Sequence, residues 1–106
     1  MQKMEFVPLV LEENINNGFK KVFAVGEENV LLVKEEDKYY AVENSCGHFG
    51  MPLESGTINH GVIRCPSHAM RFDLQNGEVI NNLYDDCHAI KVYKIAVADG
   101  WVGVEV

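Results

Sequence analysis

The sequence predicts an all-β domain, an antiparallel sandwich or barrel with an insertion at residues 44–81. Short runs rich in Val, Ile, Phe and Tyr recur along the 106 residues, and such residues favour strands. Turn residues separate these runs, most clearly at Asn76-Gly77 and Asp99-Gly100. The length suits one domain and not two, and a hydrophobic content of 47% allows a real core.

The elements follow in chain order. Glu5 to Val10 reads as an edge strand, because Pro8 has no N–H to give a ladder. Leu11 to Asn17 is polar and holds at most one helical turn before Gly18. Phe19 to Val25 and Asn29 to Val33 are strands around the turn Gly26-Glu27-Glu28. Lys38 to Val42 follows the turn Glu35-Glu36-Asp37. Gly61 to Arg64 and Met70 to Leu74 flank a Cys/His loop, and Glu78 to Ile80 returns after Asn76-Gly77. Residues 81 to 87 form a polar connection. Ala89 to Val97 and Trp101 to Val106 close the chain as a hairpin, their β-branched content favouring strand over helix. The whole of 1–106 is expected to be one domain. Residues 44–81 form its inserted subdomain, and 1–43 with 82–106 its base.

Charge narrows the partners. The formal net charge is −7, and nucleic-acid phosphates would repel such a surface. The charge favours encounter with a basic protein surface, or simply keeps the domain in solution. No run of eighteen apolar residues offers a membrane span. The first residues lack a signal-peptide pattern, so a cytoplasmic location is expected. Three cysteines in a reducing compartment read as metal ligands or core residues rather than a disulfide framework.

The chemistry concentrates between Cys46 and His68. Cys46-Gly47-His48 is followed by sixteen residues and then Cys65-Pro66-Ser67-His68. Each half supplies one thiol and one imidazole from loop sequence. Gly47 and Gly50 allow the positive φ that ligand loops often need. Two metal sites compete for these residues. Structural zinc would take Cys2His2, but zinc fingers usually pair cysteine with cysteine and histidine with histidine. A two-iron cluster would put both thiolates on one iron and both imidazoles on the other. That accounts for the mixed pairs without further assumption.

At this point the residues resemble a known family. Cys-x-His, sixteen residues and Cys-x2-His are similar to the Rieske [2Fe–2S] signature. Cys46-Gly47-His48-Phe49-Gly50-Met51-Pro52-Leu53 resembles its first loop, and Cys65-Pro66-Ser67-His68 its second. Arg71-Phe72-Asp73-Leu74-Gln75-Asn76-Gly77-Glu78 resembles the hairpin that follows. The resemblance covers nearly the whole chain and closes on Lys91-Val92-Tyr93 and the last hairpin, as in soluble Rieske ferredoxins. It implies a Rieske-like sandwich, one [2Fe–2S] cluster per chain, and ligation by Cys46, His48, Cys65 and His68.

The resemblance also implies a redox range. Two ferric ions, two sulfides and two thiolates sum to about zero charge, so reduction makes only about −1, and Rieske centres lie at roughly −150 to +300 mV. Proton loss from the histidines of the oxidised site would make the potential rise as pH falls. The Rieske proteins of cytochrome complexes carry a further cysteine in each loop, joined as a disulfide. Met51 and Ser67 hold those places here. Those proteins also donate to the cluster sulfurs from a serine and a tyrosine, matched here by Met70 and Phe72, which donate nothing. A low-potential, ferredoxin-type centre is expected.

The implied function is a one-electron carrier, not an enzyme. It would take electrons from a flavin-containing reductase and pass them, as a monomer in transient contacts, to an oxygenase component. No catalytic residue set and no two-histidine, one-carboxylate iron site is visible. The alternatives are a small subunit of an oxidoreductase such as nitrite reductase, and a zinc-stabilised binding module.

The remaining residues read as scaffold. Cys87 is a partly buried core thiol, although Asp85-Asp86-Cys87 resembles a segment of toluene monooxygenase ferredoxins. His60 is a solvated turn histidine, and His88 is not a ligand. Tyr39, Tyr40, Tyr84, Tyr93 and Trp101 read as core. The carboxylates at 12–13, 27–28 and 35–37 sit in turns or on solvated faces. Phe49, Met51, Pro52 and Met70 would shield the cluster and form a small apolar rim for docking.

Overall fold

The computed structural model describes residues 5–45, 52–65, 70–80 and 89–106. These form nine strands in three antiparallel, three-stranded sheets, together with one turn of 3-10 helix at Glu12–Asn14. The strands are β1 (Phe6–Leu11), β2 (Lys20–Val25), β3 (Glu28–Glu35), β4 (Lys38–Glu43), β5 (Thr57–Asn59), β6 (Val62–Arg64), β7 (Arg71–Asp73), β8 (Lys94–Ala98) and β9 (Trp101–Glu105). The sheet orders are β1-β9-β8, β2-β3-β4 and β5-β6-β7. No helix among the described residues is long and apolar enough to cross a membrane.

The central sheet explains the layering. In β3, Val30, Leu31, Leu32 and Val33 are all buried, with no polar alternation. A strand of that kind must be covered on both faces. Leu31 and Val33 pack with Leu53, Ile63, Met70, Phe72 and Leu74 on the β5-β6-β7 side. Val30 and Leu32 pack with Val102, Val104 and Tyr93 on the β1-β9-β8 side. The sheet carrying Cys65 is therefore seated directly on the core of the base.

The hairpins follow their turn chemistry. Asp99 and Gly100 both adopt positive φ, 52° and 80°, between the paired residues Ala98 and Trp101. His60 and Gly61 do the same, at 51° and 75°, between Asn59 and Val62. Two positive φ values match the right-handed twist of the flanking strands. As expected, β1 is an edge strand, and its register shifts between Pro8 and Val10.

Four expectations need correction. Glu78 to Ile80 does return along β7, with Asp73 N–H donating to the Glu78 carbonyl at 2.9 Å and Ile80 N–H to the Arg71 carbonyl at 2.8 Å, but it makes only the single bridge Phe72 with Val79 and not a full strand. At its start the segment is also tied to residue 90, whose N–H donates to the Gly77 carbonyl at 2.9 Å. Gly77 has φ +78°, and a Cβ there would lie 2.0 Å from the Ile90 oxygen, so only glycine fits. Residues 89 to 93 are likewise outside β8. They bond instead to β4, through Tyr93 N–H to Ala41 and Glu43 N–H to Lys91, before the chain crosses to β9. A segment that changes sheets cannot keep one strand's alternation. Strand β5 was not anticipated, since Thr57-Ile58-Asn59 has little β pattern of its own. Trp101 is not core but 39% exposed, because Val102 and Val104 take the inward face of β9.

Two carboxylates do more than solvate a face. Glu28 accepts from the Tyr93 hydroxyl and from Lys91 Nζ at 3.0 Å. The tyrosine bond, then the ammonium, holds the Glu28 carboxyl below its ordinary range. Burial, then the same carboxylate, pushes the Tyr93 phenol well above its own. Glu35, on the β3–β4 hairpin, accepts from the backbone N–H groups of His60 at 2.8 Å and Gly61 at 2.5 Å. It ties the base to the β5–β6 turn. Glu35→Ala is expected to lower stability by about 1–2 kcal/mol, read as a lower denaturation midpoint with an unchanged denaturant slope.

Candidate metal centre

The second ligand loop grows from the ends of β6 and β7. Ile63 and Phe72 are register partners whose side chains point into the core, as are Arg64 and Arg71 on the opposite face. Beyond that last pair the Cys65 N–H donates to the Met70 carbonyl at 2.7 Å. This bond extends the β6–β7 pairing by one step and holds Cys65 and Met70 together as a neck. Cys65 itself is a free cysteine, 1% exposed, packed in the cluster with Leu53, Ile63, Met70 and Phe72.

The first loop is closed by a side chain. Asn44 Oδ1 accepts from the backbone N–H of Leu53 at 2.8 Å and of Glu54 at 2.9 Å. The Asn44 N–H in turn donates to the Asn29 carbonyl at 2.9 Å. Asn44 and Leu53 are thus held together at one point fixed to β3. Leu53 is fully buried immediately after the loop, and Gly56 N–H donates to its carbonyl at 2.8 Å. Sequence reasoning passed over Asn44. A short amide side chain just before a loop is a common backbone cap, and that was the available signal.

Of the four expected ligands, Cys65 is placed as described. Cys46, His48 and His68 lie outside the described residues, as do Phe49, Met51, Ser67, Tyr84, Cys87 and His88. Met70 and Phe72 are both fully buried. Met70 therefore belongs to the shield and not to an exposed rim, whereas Pro52 is exposed. His60 is exposed in its turn, as expected. The donor chemistry fits an iron–sulfur group. A thiol free of any disulfide, in apolar surroundings at a hydrogen-bonded loop neck, is a soft ligand shielded from water. Among the described residues, no group of three or more His, Cys, Asp or Glu side chains forms another metal site.

Comparison with known proteins agrees with this chemistry. Residues 5–94 match the model of the Rieske [2Fe-2S] domain. The chain is 34% identical over 79 residues to the ferredoxin component of the alkene monooxygenase system of Xanthobacter autotrophicus, covering 74% of this chain and 65% of that one. It is 33% identical over 67 residues to apoptosis-inducing factor 3 of Mus musculus, covering 63% of this chain and only 11% of that protein. The chain thus spans a small part of some relatives and about two thirds of another. Among solved structures, the ferredoxin of carbazole 1,9a-dioxygenase from Nocardioides aromaticivorans superposes with a TM-score of 0.83 at 25% identity, covering 93% and 95% of the two chains.

Proposed function

This chain belongs to the Rieske [2Fe–2S] domain family and carries one such cluster, and from that premise we propose a low-potential, one-electron carrier serving an oxygenase. Cys46 and Cys65 hold one iron, and His48 and His68 the other. The observation that carries the reading is the buried, free Cys65 at a closed loop neck, within the matched domain. When bound, the cluster accepts and releases single electrons. The residues around it keep it dry and fixed. Met70 and Phe72 are fully buried in the same core cluster as Cys65 and have no side-chain donor to offer a bound cluster, which would leave its reduced form less stabilised.

Residues 44–81 act in this reading as the cluster-carrying subdomain, and the two other sheets as its base. A flavin-containing reductase supplies the electron and an oxygenase component accepts it, in transient contacts made by a monomer in the cytoplasm. Support for the oxygenase comes from the relatives, which are named as ferredoxins of a monooxygenase and a dioxygenase system. The carrier itself performs no substrate chemistry.

The test is a potentiometric titration of anaerobically purified protein, with iron and sulfide assays. A brown-red protein with two irons per chain and a midpoint near the bottom of the range, roughly −150 mV at neutral pH, is expected. The potential should rise as pH falls, because the reduced site holds its imidazole protons more tightly. A strongly positive midpoint overturns the low-potential assignment. A colourless, iron-free preparation overturns the carrier.

A further inference from the structure

The exit of the first ligand loop and the entry of the second meet at Gly56. This glycine is buried, and its N–H donates to the Leu53 carbonyl at 2.8 Å. A Cβ there would lie 2.4 Å from the Arg64 carbonyl oxygen and 3.2 Å from Ile63 Cγ1. Arg64 immediately precedes Cys65. The missing side chain therefore lets the turn after the first loop lie against the strand that enters the second.

A cation is seated on the same residue. Lys20 opens β2, and its Nζ donates to the Gly56 carbonyl at 2.7 Å. Its register partner Val33 packs in the core cluster that holds Cys65. Directly paired residues share a face of the sheet, so Lys20 lies on the face of the central sheet that meets β5-β6-β7. The acceptor is a buried, uncharged carbonyl. The bond thus satisfies a backbone group without cancelling the charge of the ammonium. Followed through these contacts with standard bond lengths, Nζ is at most about 13 Å from the Cys65 Cα.

Given the electron-carrier reading above, on which this rests, we propose that Lys20 is a positioning residue for the cluster. Its ammonium latches the exit of the first loop to the base through Gly56. The same contact holds a positive charge near the site, in a chain of net charge −7. A nearby positive charge favours the form that carries the added electron.

Loaded protein poised against a redox mediator tests the charge. Lys20→Met keeps a long side chain but removes both charge and donor. At an ionic strength of about 0.01 M the Debye length is about 30 Å. There the reduced-to-oxidised ratio at a fixed potential should fall by roughly threefold to tenfold, a midpoint about 30 to 60 mV lower at about 59 mV per tenfold. In about 1 M salt, with a Debye length of about 3 Å, most of the difference should vanish. Lys20→Arg keeps a cationic donor and should restore the wild-type midpoint. Gly56→Ala tests the contact with Lys20 in place. Its added methyl meets the Arg64 carbonyl, and cluster loss to an iron chelator should quicken by about tenfold. Failure of Lys20→Met to hold a cluster, with Lys20→Arg loaded, also supports the latch. A wild-type midpoint in Lys20→Met overturns it. So does a fall that 1 M salt leaves undiminished, a fall or a cluster loss that Lys20→Arg does not reverse, or wild-type cluster loss in Gly56→Ala. If Gly56→Ala does not fold, the Lys20 series decides. A colourless, iron-free wild-type protein overturns the carrier reading instead.

Discussion

Replacing Cys65 with alanine is expected to give a colourless protein, with iron falling from two per chain to none. The thiol sits at the end of β6, 1% exposed and in no disulfide. Around it are Leu53, Ile63, Met70 and Phe72, so no other thiolate among the described residues in that core cluster can replace it. The alternative is that Cys65 is merely a small core residue. Two comparisons separate these roles. Against wild-type apoprotein, Cys65→Ala should cost only about 1–2 kcal/mol, the loss of one buried sulfur. Against the loaded protein, the difference should be much larger, because a group bound only by the folded chain stabilises it by mass action. Cys87→Ala is the control, and it should keep its colour and both irons. A Cys65→Ala protein that retained two irons per chain and the wild-type spectrum would remove Cys65 from the ligand set.

Much of the fold was legible because local rules and burial agreed. Val30 to Val33 is continuously apolar, and β3 lies between two cores. Asp99-Gly100 demanded a two-residue turn, and both residues have positive φ. The failures occurred where the chain serves two neighbours at once. Residues 89 to 93 bond to β4 before β8 joins β9, so a pattern that serves two partners reads locally as one long strand. The Asn76-Gly77 pair marks Gly77 as a hairpin residue. Its tighter constraint, the approach of the Ile90 carbonyl, depends on a contact thirteen residues away that no local pattern encodes. Strand β5 forms because β6 offers it a partner, through Thr57 with Arg64 and Ile58 with Ile63. Residue type alone puts Trp101 in the core, but the inward positions of Val102 and Val104 put it outside.

The proposed metal centre is legible in a different way. Its donor types and spacing were visible in the sequence, whereas what holds the loops was not. The second loop is closed by backbone atoms, the Cys65 N–H and the Met70 carbonyl, and backbone pairing leaves no mark on side-chain identity. The first loop is closed by Asn44, a residue that looks like any polar turn residue until Leu53 is brought back to it. The Lys20 contact is similar: Lys20 and Gly56 are 36 positions apart, and only the packing of the two sheets makes them neighbours.

Asn44→Ala is expected to loosen the first loop and release the cluster faster, with all four proposed ligands intact. The side-chain oxygen accepts two N–H groups, and their fates differ on truncation. Glu54 is exposed, so water can take over its amide. Leu53 is fully buried, and its amide would be left without a partner. An unsatisfied buried donor costs about 1–3 kcal/mol. If that penalty falls on the loaded state, cluster loss to an iron chelator should quicken by about tenfold to a hundredfold, since 1.4 kcal/mol is a factor of ten. Asn44→Asp keeps an oxygen acceptor at the same place and should restore slow loss. Its added negative charge beside the loop should also lower the midpoint potential, because it disfavours adding an electron. A residue that only stabilised the base would change thermal stability and leave both the potential and the rescue pattern unmoved. Wild-type rates of cluster loss in Asn44→Ala would mean that the first loop is held elsewhere, and the two hydrogen bonds at 2.8 and 2.9 Å would then be a consequence of loop position and not its cause.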